Sequence, residues 1–212
     1  MICLTSDEKV ACWRLMRFMG YLALLIGIML GIWWLADVFA RDAFSEGGIV
    51  ENTQSLVLSA SALICGWCVR KDKAYRLIFL GLMAVCLFGL LREQDAWLDK
   101  RLPVISWRIG FIFPLMTLIY GLKNLKDLRR QLVTFVSMPA FSVLFAAFVM
   151  IIPLAQCLGH RPLIFKIMGF YDKGLGSGLR RMIEESVELL GYTLILLSVV
   201  ELCFNIKEKL KK

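Results

Sequence analysis

The sequence predicts an all-α fold, a polytopic transmembrane helical bundle of six spans with both termini on the cytoplasmic side. Three observations predict it. The 212 residues are 59% hydrophobic and only 20% charged, with a mean hydropathy of +0.71, whereas soluble domains run at roughly 45–50% apolar and about 25% charged. The apolar residues gather into runs of near-span length separated by short charged segments. The basic residues fall unevenly on alternate segments, as the positive-inside bias requires.

In order, the spans fall near 18–39, 53–69, 75–97, 104–122, 136–158 and 183–204, and with their short loops they leave room for a single integral membrane domain over 1–212. The first run, Phe18 to Ala36, is about 19 residues. It exceeds the roughly 7–15 residues of a signal-peptide core and is read as a retained anchor. Three later runs are shorter than the roughly 20 residues a crossing needs: Leu56 to Val69 has 14, Leu77 to Leu91 has 15 and Leu189 to Val200 has 12. Each of those helices must recruit polar neighbours to complete the span. Pro114 and Pro153 lie within the fourth and fifth spans, where a proline kinks the helix or frees a carbonyl. The most polar connection, 159–182, contains Leu163 to Tyr171, a candidate interfacial helix, followed by Gly174-Leu175-Gly176-Ser177-Gly178, which reads as a hinge.

Orientation follows from charge. Lys9, Arg14 and Arg17, then Arg70, Lys71, Lys73 and Arg76, then Lys123, Lys126, Arg129 and Arg130, then Lys207, Lys209, Lys211 and Lys212 lie on one side. Most of the acids, from Asp37 to Glu188, lie on the other. The first set is therefore assigned to the cytoplasm.

Several chemistries are excluded. The net charge of +8 sits at span ends rather than on one basic face, so no nucleic-acid partner is expected. Of the seven cysteines, the Cys65-Gly66-Trp67-Cys68 pair falls at a cytoplasmic end and only Cys157 near the outer surface. No extracytoplasmic disulfide can be drawn, and the cysteines read as small apolar fillers. One histidine, His160, is too few for haem with two histidine ligands, for an HExxH zinc site or for a histidine-dependent lipid phosphatase. It is also poorly placed to serve Ser177 as a base. The Glu184-Glu185 pair is not followed by the arginine and later histidines of CAAX-type proteases, because position 189 is Leu and no histidine comes after it.

What remains is a set of polar side chains at one depth. Extending the three short spans outward brings in Glu51 and Gln54, then Arg92, Glu93 and Asp95, then Glu184, Glu185, Glu188 and Tyr192. Arg108 and Asp37 come from the fourth and first spans. Ionisable groups at membrane depth face a bundle interior or a wet cavity, so a polar cavity open to the extracytoplasmic side is expected. Against it stand ordinary ion pairs: Arg180 with Glu184 and Arg181 with Glu185 at i,i+4, or Arg92 and Arg108 gluing helices together. No cofactor is required. Oxygen-only donors would suit Mg²⁺, Ca²⁺ or Mn²⁺, or Glu184 or Glu188 could carry a proton. The leading expectation is a small permease or cation-handling protein of the cytoplasmic (plasma) membrane, binding a small cationic ligand. The alternatives are an extracytoplasmic-side enzyme acting on a lipid or lipid-linked glycan, with Arg92, Arg108 or Arg180 on a phosphate, and a non-catalytic interaction or immunity-type protein.

Overall fold

The computed structural model of the chain describes residues 6–39, 42–45, 47–95, 98–99, 106–160 and 173–210. Regular structure among the described residues is entirely helical. The chain forms two compact units, Met1–Ala40 and Arg41–Lys212. The described residues of the first unit form one helix, α1 (Ser6–Phe39), of 34 residues. At 1.5 Å per residue it is about 51 Å long, and it begins well before the expected residue 18.

The second unit contains α2 (Ile49–Lys71), α3 (Arg76–Glu93), a 3₁₀ turn (Ser106–Phe111), α4 (Ile112–Lys123), α5 (Leu125–Val136), α6 (Pro139–Leu158) and α7 (Lys173–Leu210). Among the described residues, three helices are long and apolar enough to cross a membrane: α1 over Glu8–Phe39, α6, and α7 over Ser177–Glu208. Large apolar side chains also face outward on α2, α4 and α5, including Leu56, Leu63, Met116 and Val133, as on a surface whose solvent is lipid.

α2 buries Val50, Gln54, Leu58, Ser61, Ala62, Cys65 and Cys68, which recur at three and four residues and so form one stripe. It ends at Asp72, whose carboxylate accepts the Ala74 and Tyr75 N–H groups at 2.9 and 3.3 Å. That turn folds α3 back along α2, and Gly89 admits Leu58, whose Cδ1 would lie 3.3 Å from a Cβ there. The first turn of α3 has an unmet donor, which the buried Gln131 of α5 satisfies: Leu77 N–H donates to Gln131 Oε1 at 2.9 Å. α7 packs against α2 and α6 through Ile195, Val199 and Leu202, with Phe79, Ala140 and Ala147 in the same core. Cys65, Cys68 and Cys86 are buried there, and Cys68 Sγ lies 3.4 Å from Cys203 Sγ on α7.

Several boundaries differ from expectation. Val136 closes the amphipathic α5 instead of opening the fifth span, and α6 starts at Pro139, where proline's missing N–H costs nothing. Within α6, Met150–Leu154 is a π turn containing Pro153. The proline, lacking a donor, is accommodated by widening the helix rather than breaking it. The expected hinge Gly174–Gly178 is helical, the opening of α7, so the last helix starts ten residues before 183. The candidate interfacial segment Leu163 to Tyr171, and residues 104–105 of the fourth span, lie outside the described residues.

Candidate functional site

The start of α2, the end of α3 and the first half of α7 meet at one level. Two glycines set the start of α2. Gly47 has φ of +74°, a left-handed conformation that glycine adopts without penalty, and a Cβ on Gly48 would lie 2.6 Å from Ala43 O. Glu51 reaches back to accept Gly47 N–H at 2.7 Å, and Asn52 Nδ2 donates to Gly47 O and Gly48 O, each at 2.9 Å. A carboxylate in this first turn is favoured by the helix dipole. One turn on, Gln54 is fully buried and its Nε2 donates to Glu185 O and Glu185 Oε2, both at 3.0 Å. Its Oε1 has no hydrogen-bond partner.

α3 supplies Arg92 and Glu93, and Gln94 Nε2 donates to Ser55 Oγ at 2.8 Å, which ties the α2 and α3 ends together. On α7, Glu185, Glu188 and Tyr192 are spaced three and four apart and share a face. Tyr192 Oη donates to Glu93 Oε1 at 2.6 Å. The Arg92 guanidinium is bonded to Glu188 and lies 3.9 Å from Glu93 Oε1. Glu184, a hundred degrees round the helix, takes Arg180 at 2.9 Å. Arg180 also donates to Gly159 O at 3.1 Å, and the Glu184 carboxyl lies so close to Gly159 that a Cβ there would be 2.7 Å from its Cδ. Arg181 Nε is 3.7 Å from Glu185 Oε1.

These groups line a cavity of about 260 Å³ bounded by Glu51, Glu93, Asp95, Glu184, Glu185 and Glu188 and by Arg92, Arg180 and Arg181. Among the described residues, six carboxylates therefore face three guanidiniums. Oxygens from Glu93, Glu185 and Glu188 all lie within 4.8 Å of one another. An all-oxygen set at that spacing can take a hard cation, whose Ca²⁺–O bonds run at about 2.3–2.6 Å.

Of the residues singled out in the sequence, Glu51, Arg92, Glu93, Asp95, Glu184, Glu185 and Glu188 line the cavity, and Gln54 and Tyr192 hold its acids from the buried side. Arg108 does not join them. It sits on the 3₁₀ turn, where a three-residue repeat turns Trp107 and Gly110 inward against Phe88 and leaves Arg108 exposed. Asp37 belongs to the separate first unit. Arg180, expected in a helix ion pair or on a phosphate, and Arg181, expected in a helix ion pair, make those pairs and line the cavity as well. Gly159 carried no signal in the sequence, because its partner is Glu184, on the next described helix. No family model, characterised protein or solved structure matches this chain.

Proposed function

We propose that the chain is a polytopic protein of the cytoplasmic membrane, crossing six times with both termini inside. Its carboxylate-rich cavity faces the extracytoplasmic side and handles a cation, as the binding site of a small permease. The acid excess carries this reading. A cluster that served only to glue helices would balance its charges, whereas among the described residues six carboxylates meet three guanidiniums, and charge at membrane depth is offset by a counter-ion or proton.

The six-span topology is supported by the apolar exterior of the short helices and by the one-sided distribution of basic residues. At about 260 Å³ the cavity is smaller than the roughly 300–1,000 Å³ of sites for drug-sized molecules. That size favours a hydrated inorganic ion or small organic cation over a glycan carried on a lipid.

Reconstitution into liposomes tests the proposal. Vesicles loaded with a Mn²⁺-quenched dye, and parallel vesicles with a pH-sensitive dye, report entry of Mn²⁺ or protons down an imposed gradient. The expected result is protein-dependent entry that is lost when Glu51→Gln, Glu93→Gln, Glu184→Gln and Glu188→Gln are combined. Flux unaltered by the fourfold replacement overturns the proposal.

A further inference from the structure

We infer that an acidic phospholipid occupies a groove near the start of α3, away from the polar cavity at its end, with one acyl chain between α3, α4, α5 and α6 and its phosphate on Arg129 of α5. Such a site depends on the chain's residence in a bilayer and not on what the polar cavity carries.

The groove holds about 360 Å³ and is lined by fifteen described residues, of which Thr117 alone has a polar side chain. A Cβ on Gly110, just before α4, would lie 3.2 Å from Phe88 near the end of α3, whereas Gly121 at the end of α4 and Leu77 at the start of α3 line the groove together. The two helices are therefore antiparallel. From Leu77 to Val85 the groove follows α3 for about 12 Å, close to the roughly 15 Å of hydrocarbon in one leaflet. Its floor is open because residue 81 is glycine. A Cβ there would meet nothing within 4 Å, although Ile78 and Leu82 beside it are buried. Wall atoms that face a void forgo dispersion contacts, and in a bilayer the material at hand to restore them is an acyl chain.

The charge beside the groove selects the headgroup. Twelve residues long, α5 extends about 18 Å, too short for the roughly 30 Å crossing, and Gln131 pins it across the start of α3 by accepting Leu77 N–H. Leu128, Leu132 and Phe135 line the groove from α5, and Arg129 stands beside them. Its same-face neighbours at i−4, i+3, i+4 and i+7 are Leu125, Leu132, Val133 and Val136, which are 59%, 43%, 65% and 53% exposed. A guanidinium within an exposed apolar face suits neither bulk water nor a covering helix, which would seal the charge in hydrocarbon at a cost. Where acyl chain meets headgroup, its stem lies on hydrocarbon and its fork on a phosphate. Lys123 and Lys126 are exposed in the adjoining turns. The one acid of α5, Asp127, is paired with Arg130 at 3.2 Å. The local charge therefore favours an anionic headgroup over a zwitterionic one.

The test places the full chain in phosphatidylcholine nanodiscs carrying a small share of phosphatidylglycerol with a diazirine in one acyl chain. Illumination fixes bound lipid to the protein, and mass spectrometry maps the adducts. They are expected on groove residues such as Val85, Leu118 and Phe148, at about ten times the yield of a phosphatidylcholine probe bearing the same chain, from the several basic residues. Arg129→Gln should lower that ratio about fivefold, and Arg129→Lys should leave it near wild type. Gly81→Leu sends its side chain into open space and replaces a poor helix former with a good one. It should keep the thermal midpoint and reduce groove adducts at least tenfold. Adducts spread evenly over the exterior, equal labelling by the two probes, a ratio that Arg129→Gln leaves unaltered, or undiminished adducts in folded Gly81→Leu overturns the inference. So does a groove without adducts, which would mean that a protein segment fills it. If Gly81→Leu does not fold, the wild-type map decides alone. Carboxylate-dependent cation entry into liposomes is read separately, so the lipid site and the polar cavity stand or fall apart.

Discussion

A tyrosine hydroxyl 2.6 Å from a buried carboxylate is a contact that phenylalanine, nearly the same shape, would remove. Tyr192→Phe leaves Glu93 Oε1 with one donor fewer, and the expected loss of stability is about 1–3 kcal/mol, read as a lower thermal midpoint in detergent. An unchanged midpoint would mean that this bond contributes nothing. Gly159→Ala acts on the other wall by displacing the Glu184 carboxyl, and should prove strongly non-additive with Glu184→Ala in a double-mutant cycle. Additive effects would show the two sites to be independent. The sequence already held part of this detail. The Arg180–Glu184 and Arg181–Glu185 pairs follow from i,i+4 spacing alone. The Gln54–Glu185 contact does not, because 131 residues separate the partners and only the packing of α7 on α2 brings them together.

At the level of helices, Gly174, Gly176 and Gly178 point to a hinge because each glycine costs about 1 kcal/mol in a helix interior. The structure continues the helix through them. Extending a helix whose later turns are already formed and packed adds a hydrogen bond per residue without a new nucleation step, and that tertiary anchor cannot be seen in a local window. Three short apolar runs are visible in the sequence, and the structure has polar residues at the matching ends of α2, α3 and α7. The π turn of α6 left only Pro153 as a trace in the sequence. Farther along, α6 and α7 approach so closely at Gly191 that an added Cβ would overlap Ile151 Cγ1 and lie 3.1 Å from its Cδ1. Gly191→Ala should therefore destabilise by about 1–3 kcal/mol through overpacking, and Ile151→Ala in the same chain should recover part of that midpoint. If the second substitution only adds to the loss, the close approach is not the cause.

For the molecule as a whole, the proposed orientation places exposed Cys157 outside and exposed Cys12 inside. In single-cysteine variants in intact cells, a membrane-impermeant maleimide should label Cys157 directly and Cys12 only after permeabilisation. The opposite pattern would invert the topology and put the cavity on the cytoplasmic face. The helical class and the membrane character were readable because apolar excess is a property of the chain, whereas the meeting of three helix ends is a property of the assembled bundle. That meeting also has a consequence in time. Arg92 and Glu188 are 96 residues apart, so at about 5–20 residues per second a nascent chain on the six-span reading holds Arg92 and Glu93 for on the order of 5–20 s before α7 is made. Being adjacent and of opposite charge, the two can neutralise each other during that interval. The neighbour that completes the finished site would then also serve as the escort that lets its first half wait in the membrane.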